Sequence, residues 1–482
     1  MRWIQNCLAA ALVFILHSAC VAGSDDGYLL KLKVKGLPKD SSCFLANHFG
    51  DKFYIQDTAK PDAQGQLQFS GKTKLKPGIY LLVLPKKKFG FDFLIDNNQH
   101  FSLETDTADF IKHMKIKGSD ENKSFYEYLN YIAEKQKEME PLLAELKKVK
   151  DSKDSSERIR RKMTAIDQQV KDYKASYVKR NPKSLQAQIF KAMTDVEVPP
   201  TPMLPNKNRP DSSFPYRYQR AHYWDNYDFS DERLLRSPIL YNKMKNFLDN
   251  MTYPIPDSLN AAADVIVEKA KANKEVFQYV VSWITVTYES SQILGMDAVF
   301  AHMGEKYYMT KQAYWVDSAQ LVKISNRVMT IKPLLIGKYA PNLTLKDSNL
   351  NEVTLYDTRA KFTILYFWDY GCSHCKKVTP KLLEWYEKNK SKGIQVFAVG
   401  TETNAEEWKK YIRQNKLDWI NVYDPQYSTG FKKTYDIYST PKMFILDENK
   451  KIIANKQLEV DQLDGFIEHM INQQVIDKTK SH

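Results

Sequence analysis

Residues 363–377 constrain this chain more than any other stretch. Residues 364–368, Ile364-Leu365-Tyr366-Phe367-Trp368, are an unbroken apolar run of strand length, as expected of a buried strand. Gly371 breaks the run, and Val378, Leu382, Leu383 and Tyr386 then recur at helical spacing. Cys372 and Cys375 therefore fall where a strand feeds a helix. The first cysteine is predicted at the helix N-terminus, where free backbone N–H groups and the positive end of the dipole favour a thiolate. The second lies one turn further on, close enough to close a small disulfide. A thiol with an ordinary pKa of about 8.5 can fall to about 3.5–7.5 in such a place. A zinc half-site and two inert buried cysteines are the competing readings. Zinc needs four ligands, and the sequence has no second Cys-x-x-Cys or histidine cluster.

Phe367-Trp368, then Cys372-Ser373-His374-Cys375, then Pro380 five residues later resemble a thioredoxin active site. Thr440-Pro441, followed by Met443-Phe444-Ile445-Leu446, resembles the cis-proline loop and next strand of that family. Gly337-Lys338-Tyr339-Ala340-Pro341 resembles the lead-in of its TlpA/ResA branch, as does the strand–helix insert between the cysteines and Pro441. The resemblance covers roughly 337–475 and implies a thiol:disulfide oxidoreductase. In that reading Cys372 is the nucleophile and Cys375 resolves the mixed disulfide. Thr440, Pro441 and Trp368 bind the client, and neither a metal nor an organic cofactor is needed. Residues 337–475 are then expected to fold alone.

Departures from the family pattern matter as much. Tyr366 stands where thioredoxin has a buried acid, and Val378 stands where cytochrome-maturation members carry glutamate. The customary proton acceptors for Cys375 are therefore missing, leaving Asp369 or water. His374 occupies a place that is also histidine in the strongly oxidising relatives. Its imidazole is expected to stabilise the Cys372 thiolate, and so to make the disulfide more oxidising.

The remaining chain reads as further domains, because 482 residues suit about three. Residues 1–23 have the pattern of a signal peptide, with Arg2, an apolar core over 8–16 and small residues at Ser18, Ala19, Ala22 and Gly23. Cleavage near Ala22 or Gly23 gives a soluble exported protein. Cleavage before Cys20 with lipid attached there gives a lipoprotein, the one membrane attachment foreseen. Either route leads to the periplasm or cell envelope. The five cysteines are Cys7, Cys20, Cys43, Cys372 and Cys375, too few in the mature chain for a disulfide framework. Cys43 reads as a buried small hydrophobe.

Residues 24–115 read as an antiparallel β-sandwich-like domain. Leu30, Leu32 and Val34 alternate with lysines, and Leu67 and Phe69 with glutamines. Phe91, Phe93 and Ile95 precede Asn97-Asn98, with Phe101 and Leu103 after it, which predicts a hairpin. Residues 116–195 read as a helical hairpin. One seam is Phe125, Leu129, Ile132, Gln136, Met139, Leu143 and Leu146. The other is Ile159, Met163, Ile166, Val170, Tyr173 and Tyr177. Pro141 is expected to kink the first helix. Residues 196–332 open with a proline-rich connection and continue mostly α-helical, with helices over 237–250, 257–272, 273–290 and 311–328. The aromatic run 222–229 reads as core or as a substrate platform. Residues 333–482 complete the chain as the α/β thioredoxin-like domain.

The net charge of +13 arises from 71 basic and 58 acidic residues spread throughout. No compact basic block with interleaved aromatics is present, so a solvated basic surface is expected, with no nucleic-acid partner. The partners expected are envelope protein thiols or disulfides and a redox partner protein. A different class of function, a client- or glycan-binding scaffold with a secondary redox domain, stays open at this stage.

Overall fold

The computed structural model describes residues 27–480 apart from 38–40, 150–151, 206–207, 403, 425, 427 and 457. The signal-peptide reading and Cys20 lie outside the described residues. Among the described residues no helix is long and apolar enough to cross a membrane. The chain divides into two compact units, Met1–Met244 and Lys245–His482.

The first unit begins with strands β1 (Tyr28–Lys35), β2 (Cys43–Phe49), β3 (Lys52–Ala59), β4 (Gln66–Gly71), β5 (Gly78–Leu84), β6 (Lys88–Ile95), β7 (His100–Asp106) and β8 (Lys115–Lys117). They form two four-stranded sheets, β4-β1-β7-β8 and β3-β2-β5-β6. The alternation dictates the layering. Leu30, Leu32, Val34, Leu67 and Phe69 from one sheet meet Leu45, Leu82, Phe93 and Ile95 from the other in one core. The hairpin expected at Asn97-Asn98 does not form. β6 and β7 belong to different sheets, and β7 pairs with β1 in parallel. Both segments are apolar on one face because they cover the same core from opposite sides, with Phe93 and Phe101 edge to face at 6.1 Å. The buried Gln99 fixes the crossing: its amide bonds Leu75 N–H, Leu75 O and Asp96 O at 2.8, 2.7 and 3.1 Å.

Helices α1 (Asp120–Lys148) and α2 (Lys153–Arg180) form the expected hairpin. α1 runs continuously through Pro141. Its first turns close the sandwich: the Asn122 side chain pairs with both backbone groups of Leu94, and Tyr126 donates to Asp92 O at 2.8 Å. Every member of the α2 seam is at least half-buried, with Tyr173 stacked on Tyr131 at 4.6 Å. The α1 seam is incomplete, since Gln136 and Leu143 are exposed. Helices α3 (Leu185–Ala192) and α4 (Phe214–Ala221) follow. Trp224, Tyr227 and Phe229 are buried against one another, so the aromatic run is core. The acidic residues beside it cap turns: Asp228 accepts from Ser230 N–H and Asp231 from Arg233 N–H.

Helix α5 (Ile239–Asp249) crosses the division between units. Helices α6 (Pro256–Ala270), α7 (Lys274–Glu289), α8 (Asp297–Met303) and α9 (Ser318–Ile331) open the second unit. The helix expected at 311–328 begins later, because Asp317 and Gln320 form a capping box there.

Strands β9 (Thr344–Lys346), β10 (Glu352–Thr354), β11 (Phe362–Trp368), β12 (Ile394–Gly400), β13 (Ile420–Tyr423), β14 (Lys442–Asp447) and β15 (Ile452–Ala454) follow. They build one sheet in the order β10-β9-β13-β12-β11-β14-β15. β11 pairs in parallel with β12 and antiparallel with β14. Helices α10 (Ser373–Asn389), α11 (Ala405–Asn415), α12 (Phe431–Thr434) and α13 (Leu463–Lys480) complete the fold. Every residue of β11 is buried because both faces are covered. Ile364, Tyr366 and Trp368 face the core that includes Leu382 of α10 and Leu463 of α13. Leu365 and Phe367 face a second core with Phe431 and Tyr435.

This sheet is not closed by residues 337–475 alone. Leu334 is 4% exposed and belongs to the second core. Asn455 donates to Asp297 at 2.6 Å and Lys456 to Ser291 O at 2.8 Å.

Candidate active site

The end of β11 and the start of α10 carry the two cysteines, and a short reversal joins them. Asp369 Oδ1 accepts from Gly371 N–H at 2.6 Å, and Asp369 O from Cys372 N–H at 3.2 Å. A Cβ on residue 371 would stand 3.2 Å from that carboxylate oxygen, tight enough that the carboxylate would have to give way. Cys372 is the N-cap of α10. Its Sγ takes the place of a capping oxygen and accepts from Cys375 N–H at 3.5 Å. The same sulfur lies 3.2 Å from the carbonyl oxygen of Thr440, to which the thiol donates. The Thr440–Pro441 peptide is cis. Pairing of Lys442 with Phe367 holds its loop beside the end of β11.

The two thiols are driven apart electrostatically. Partial burial opposes ionisation of Cys372. The Cys375 N–H, the Thr440 side chain and the His374 N–H outweigh it, and the pKa is lowered from 9.0. Cys375 is 1% exposed. Burial pushes it up to about 12, and a hydrogen bond from Asp369 N–H offsets this only in part.

Other expected residues take different places. The His374 side chain is exposed, and its backbone N–H is the group that favours the Cys372 thiolate. Trp368 has no exposed surface, so the expectation that it touches a client is corrected. It lies in the strand beneath the site, where its carbonyl accepts from Thr401 N–H at 2.9 Å and its ring meets Tyr411 at 5.3 Å. Tyr366 is buried with its hydroxyl 2.9 Å from Thr379 Oγ1. Burial raises its pKa, so a neutral phenol occupies the place of the family's acid.

Glu402 is a residue that the sequence reading passed over. It follows β12 near the Asp369 side chain, and its pKa is raised by burial first and then by that neighbouring carboxylate. Its position just beyond the carboxyl end of a parallel strand was the available signal, since α/β sheets gather functional groups there.

Residues 360–452 match the thioredoxin-like family. Residues 28–125 and 153–332 match domains described as of unknown function, DUF4369 and DUF5106. The thiol-disulfide oxidoreductase ResA of Bacillus thuringiensis subsp. konkukian is 30% identical over 134 residues, 27% of this chain and 76% of that protein. This chain belongs to the thioredoxin-like thiol-disulfide oxidoreductases of the ResA type. The ResA of Bacillus cereus strain ZK is 28% identical over 135 residues, 28% of this chain and 77% of its own length. Among solved structures, a domain of a possible thiol-disulfide isomerase from Cytophaga hutchinsonii is 48% identical. It spans 30% of this chain and 98% of its own, with a TM-score of 0.29.

Proposed function

We propose that this ResA-type protein is an exported oxidoreductase that exchanges disulfides with protein clients of the cell envelope through Cys372 and Cys375. The observation that carries this reading is the contrast between a capped, partly exposed, low-pKa thiol and a buried, high-pKa thiol three residues later. A thiolate is the attacking species, and access decides which sulfur reacts.

In the reducing direction, Cys372 thiolate attacks one sulfur of a client disulfide. A mixed disulfide forms, and the other client sulfur leaves as a thiolate that takes up a proton. Cys375 then loses its proton and attacks Cys372 Sγ, which releases the second client thiol. The client gains two electrons and two protons, and the protein becomes the disulfide. Reversal passes the disulfide to client thiols. Thr440 and Pro441, beside Cys372, would align the client backbone.

Cys375→Ala should leave Cys372 joined to its client, recoverable with reducing agent from the envelope fraction. Purified wild-type protein should reduce insulin disulfides. An inert pair would favour a scaffold in which the redox domain is secondary. Export is tested by intact mass of the native protein. An N-terminus near Ala22 or Gly23 supports it, lipid on Cys20 selects anchoring, and an uncleaved Met1 sinks it.

A further inference from the structure

Behind the Thr440–Pro441 loop lies a charge cluster that the exchange chemistry does not use. Arg327 on α9 donates to Asp436 Oδ1. The other oxygen of Asp436 accepts from Lys442 Nζ at 3.2 Å. The same ammonium donates to the carbonyls of Asp436 and Tyr435 at 2.6 and 3.1 Å, so its three N–H groups are all engaged. Lys442 follows Pro441 directly in the chain. Thr440, on the other side of that proline, is the residue whose carbonyl meets Cys372. A continuous series of contacts thus runs from α9 to the nucleophile.

The cluster is built rather than incidental. The Asp436 side chain is 8% exposed and that of Lys442 is 23% exposed. A charge pair held that far from water is strong when every partner is present and costly when one is removed. Asp436 has a φ of 57°, in the left-handed region, which a residue with a Cβ adopts only where its surroundings hold it. Burial lowers the Lys442 pKa, with Asp436 opposing the shift. A cavity of about 170 Å³ adjoins the three residues and is also lined by Glu289 and Asp297. Burial raises the pKa of both. The Arg327–Asp436–Lys442 bonds run from this cavity to the loop.

Resting on the exchange chemistry assigned to Cys372, we propose that Arg327, Asp436 and Lys442 form a strut between α9 and the Thr440–Pro441 loop. Arg327 is then a positioning residue for disulfide exchange, although it lies outside the thioredoxin-like sheet. It touches no reacting atom. It fixes Asp436, which fixes Lys442, which sets the register of the loop against Cys372. Without Arg327, Asp436 and Lys442 keep each other but lose their tie to α9. The loop then shifts relative to the sulfur, and a small misplacement lowers rate with every reacting group still in place.

The test uses the full chain, with insulin disulfides as substrate. Arg327→Ala should raise KM and lower kcat/KM roughly three- to tenfold. It should also shift the alkylation profile of Cys372, because the Thr440 carbonyl that accepts from the thiol and the Thr440 side chain that favours the thiolate both move with the loop. Arg327→Lys, which can still reach Asp436, should restore most of both. The effects of Arg327→Ala and Lys442→Met should not multiply, since both break one network. Wild-type KM and an unmoved alkylation profile in Arg327→Ala would overturn the strut. So would a double variant whose loss equals the product of the single losses. If Arg327→Ala does not fold, Arg327→Gln, which retains the stem and an amide donor, carries the same comparison. If wild-type protein is inert towards insulin, the proposed function fails instead. The Cys372 alkylation profile of the variant then still decides the strut.

Discussion

Cys43 in the sandwich and Cys372 at the edge of the seven-stranded sheet are the same side chain in opposite settings. Cys43 begins β2 with no exposed surface, and its neighbours are the apolar core. Burial raises its pKa. Cys372 also meets partial burial, but backbone N–H groups at the start of α10 reverse the outcome. The comparison teaches that reactivity is conferred by the end of an element. A cysteine inside a ladder has its neighbouring amides spent on strand pairing, whereas an N-cap has amides left over.

The widest separation between the two regions should come from serine substitution. Cys372→Ser should abolish insulin reduction down to background, and Cys43→Ser should leave the rate unchanged. Loss of exchange in both would mean that Cys43 shares the chemistry and would end the contrast.

The cores differ as well. The sandwich core is enclosed by its two sheets and the first turns of α1. The sheet around Cys372 depends on residues from before its first strand, Leu334 among them. Residues 337–475 by themselves should therefore be less stable in urea than a fragment that also includes α6 to α9. Removal of a buried leucine alone costs about 2–5 kcal/mol. Equal stability of the two fragments would show that the helical segment is dispensable. Below that in size, Cys43→Ser should cost about 1–3 kcal/mol, from a hydroxyl placed where no partner waits. Urea denaturation of the full chain measures it, and a neutral result would mean that the site is less dry than the structure shows.

The smallest effect concerns His374. Its backbone N–H favours the Cys372 thiolate. His374→Ala retains that amide, so the Cys372 pKa should move by only a few tenths of a unit, by alkylation against pH. A shift of a full unit, about 1.4 kcal/mol between protonation states, would show that the imidazole itself tunes the thiol.

What the sequence disclosed follows the same physical lines. The apolar run 364–368, Gly371 and the helical spacing after Cys375 were legible because each is a local signal. The sandwich strands with clean alternation, such as 28–35, were legible too. β3 was not, because as an edge strand it exposes Phe53 and Ile55 and so lacks the pattern. The supposed hairpin at Asn97-Asn98 shows what alternation cannot say, namely which sheet a strand joins. Trp368 was misplaced because a tryptophan next to a site reads the same whether it faces the client or the core. Glu402 and Arg327 are brought towards the site by tertiary packing, across about 30 and 45 residues of chain from Cys372; the end of β12 was the one cue for Glu402, and no local pattern marks Arg327.

Disulfide exchange at this site requires two unlike thiols. The direct measurement is iodoacetamide alkylation of the reduced full-length protein against pH, with peptide mapping of each cysteine. For an acid whose pKa is lowered, the reactive anion is present below the pH at which an ordinary thiol ionises. For one whose pKa is raised, it is withheld above that pH. Cys372 should accordingly be alkylated first, with a midpoint below 9.0. Cys375 should stay protected until the pH approaches about 12. Alkylation falling first on Cys375, or both cysteines titrating together near 9.0, would contradict the assignment of attacking and resolving thiols.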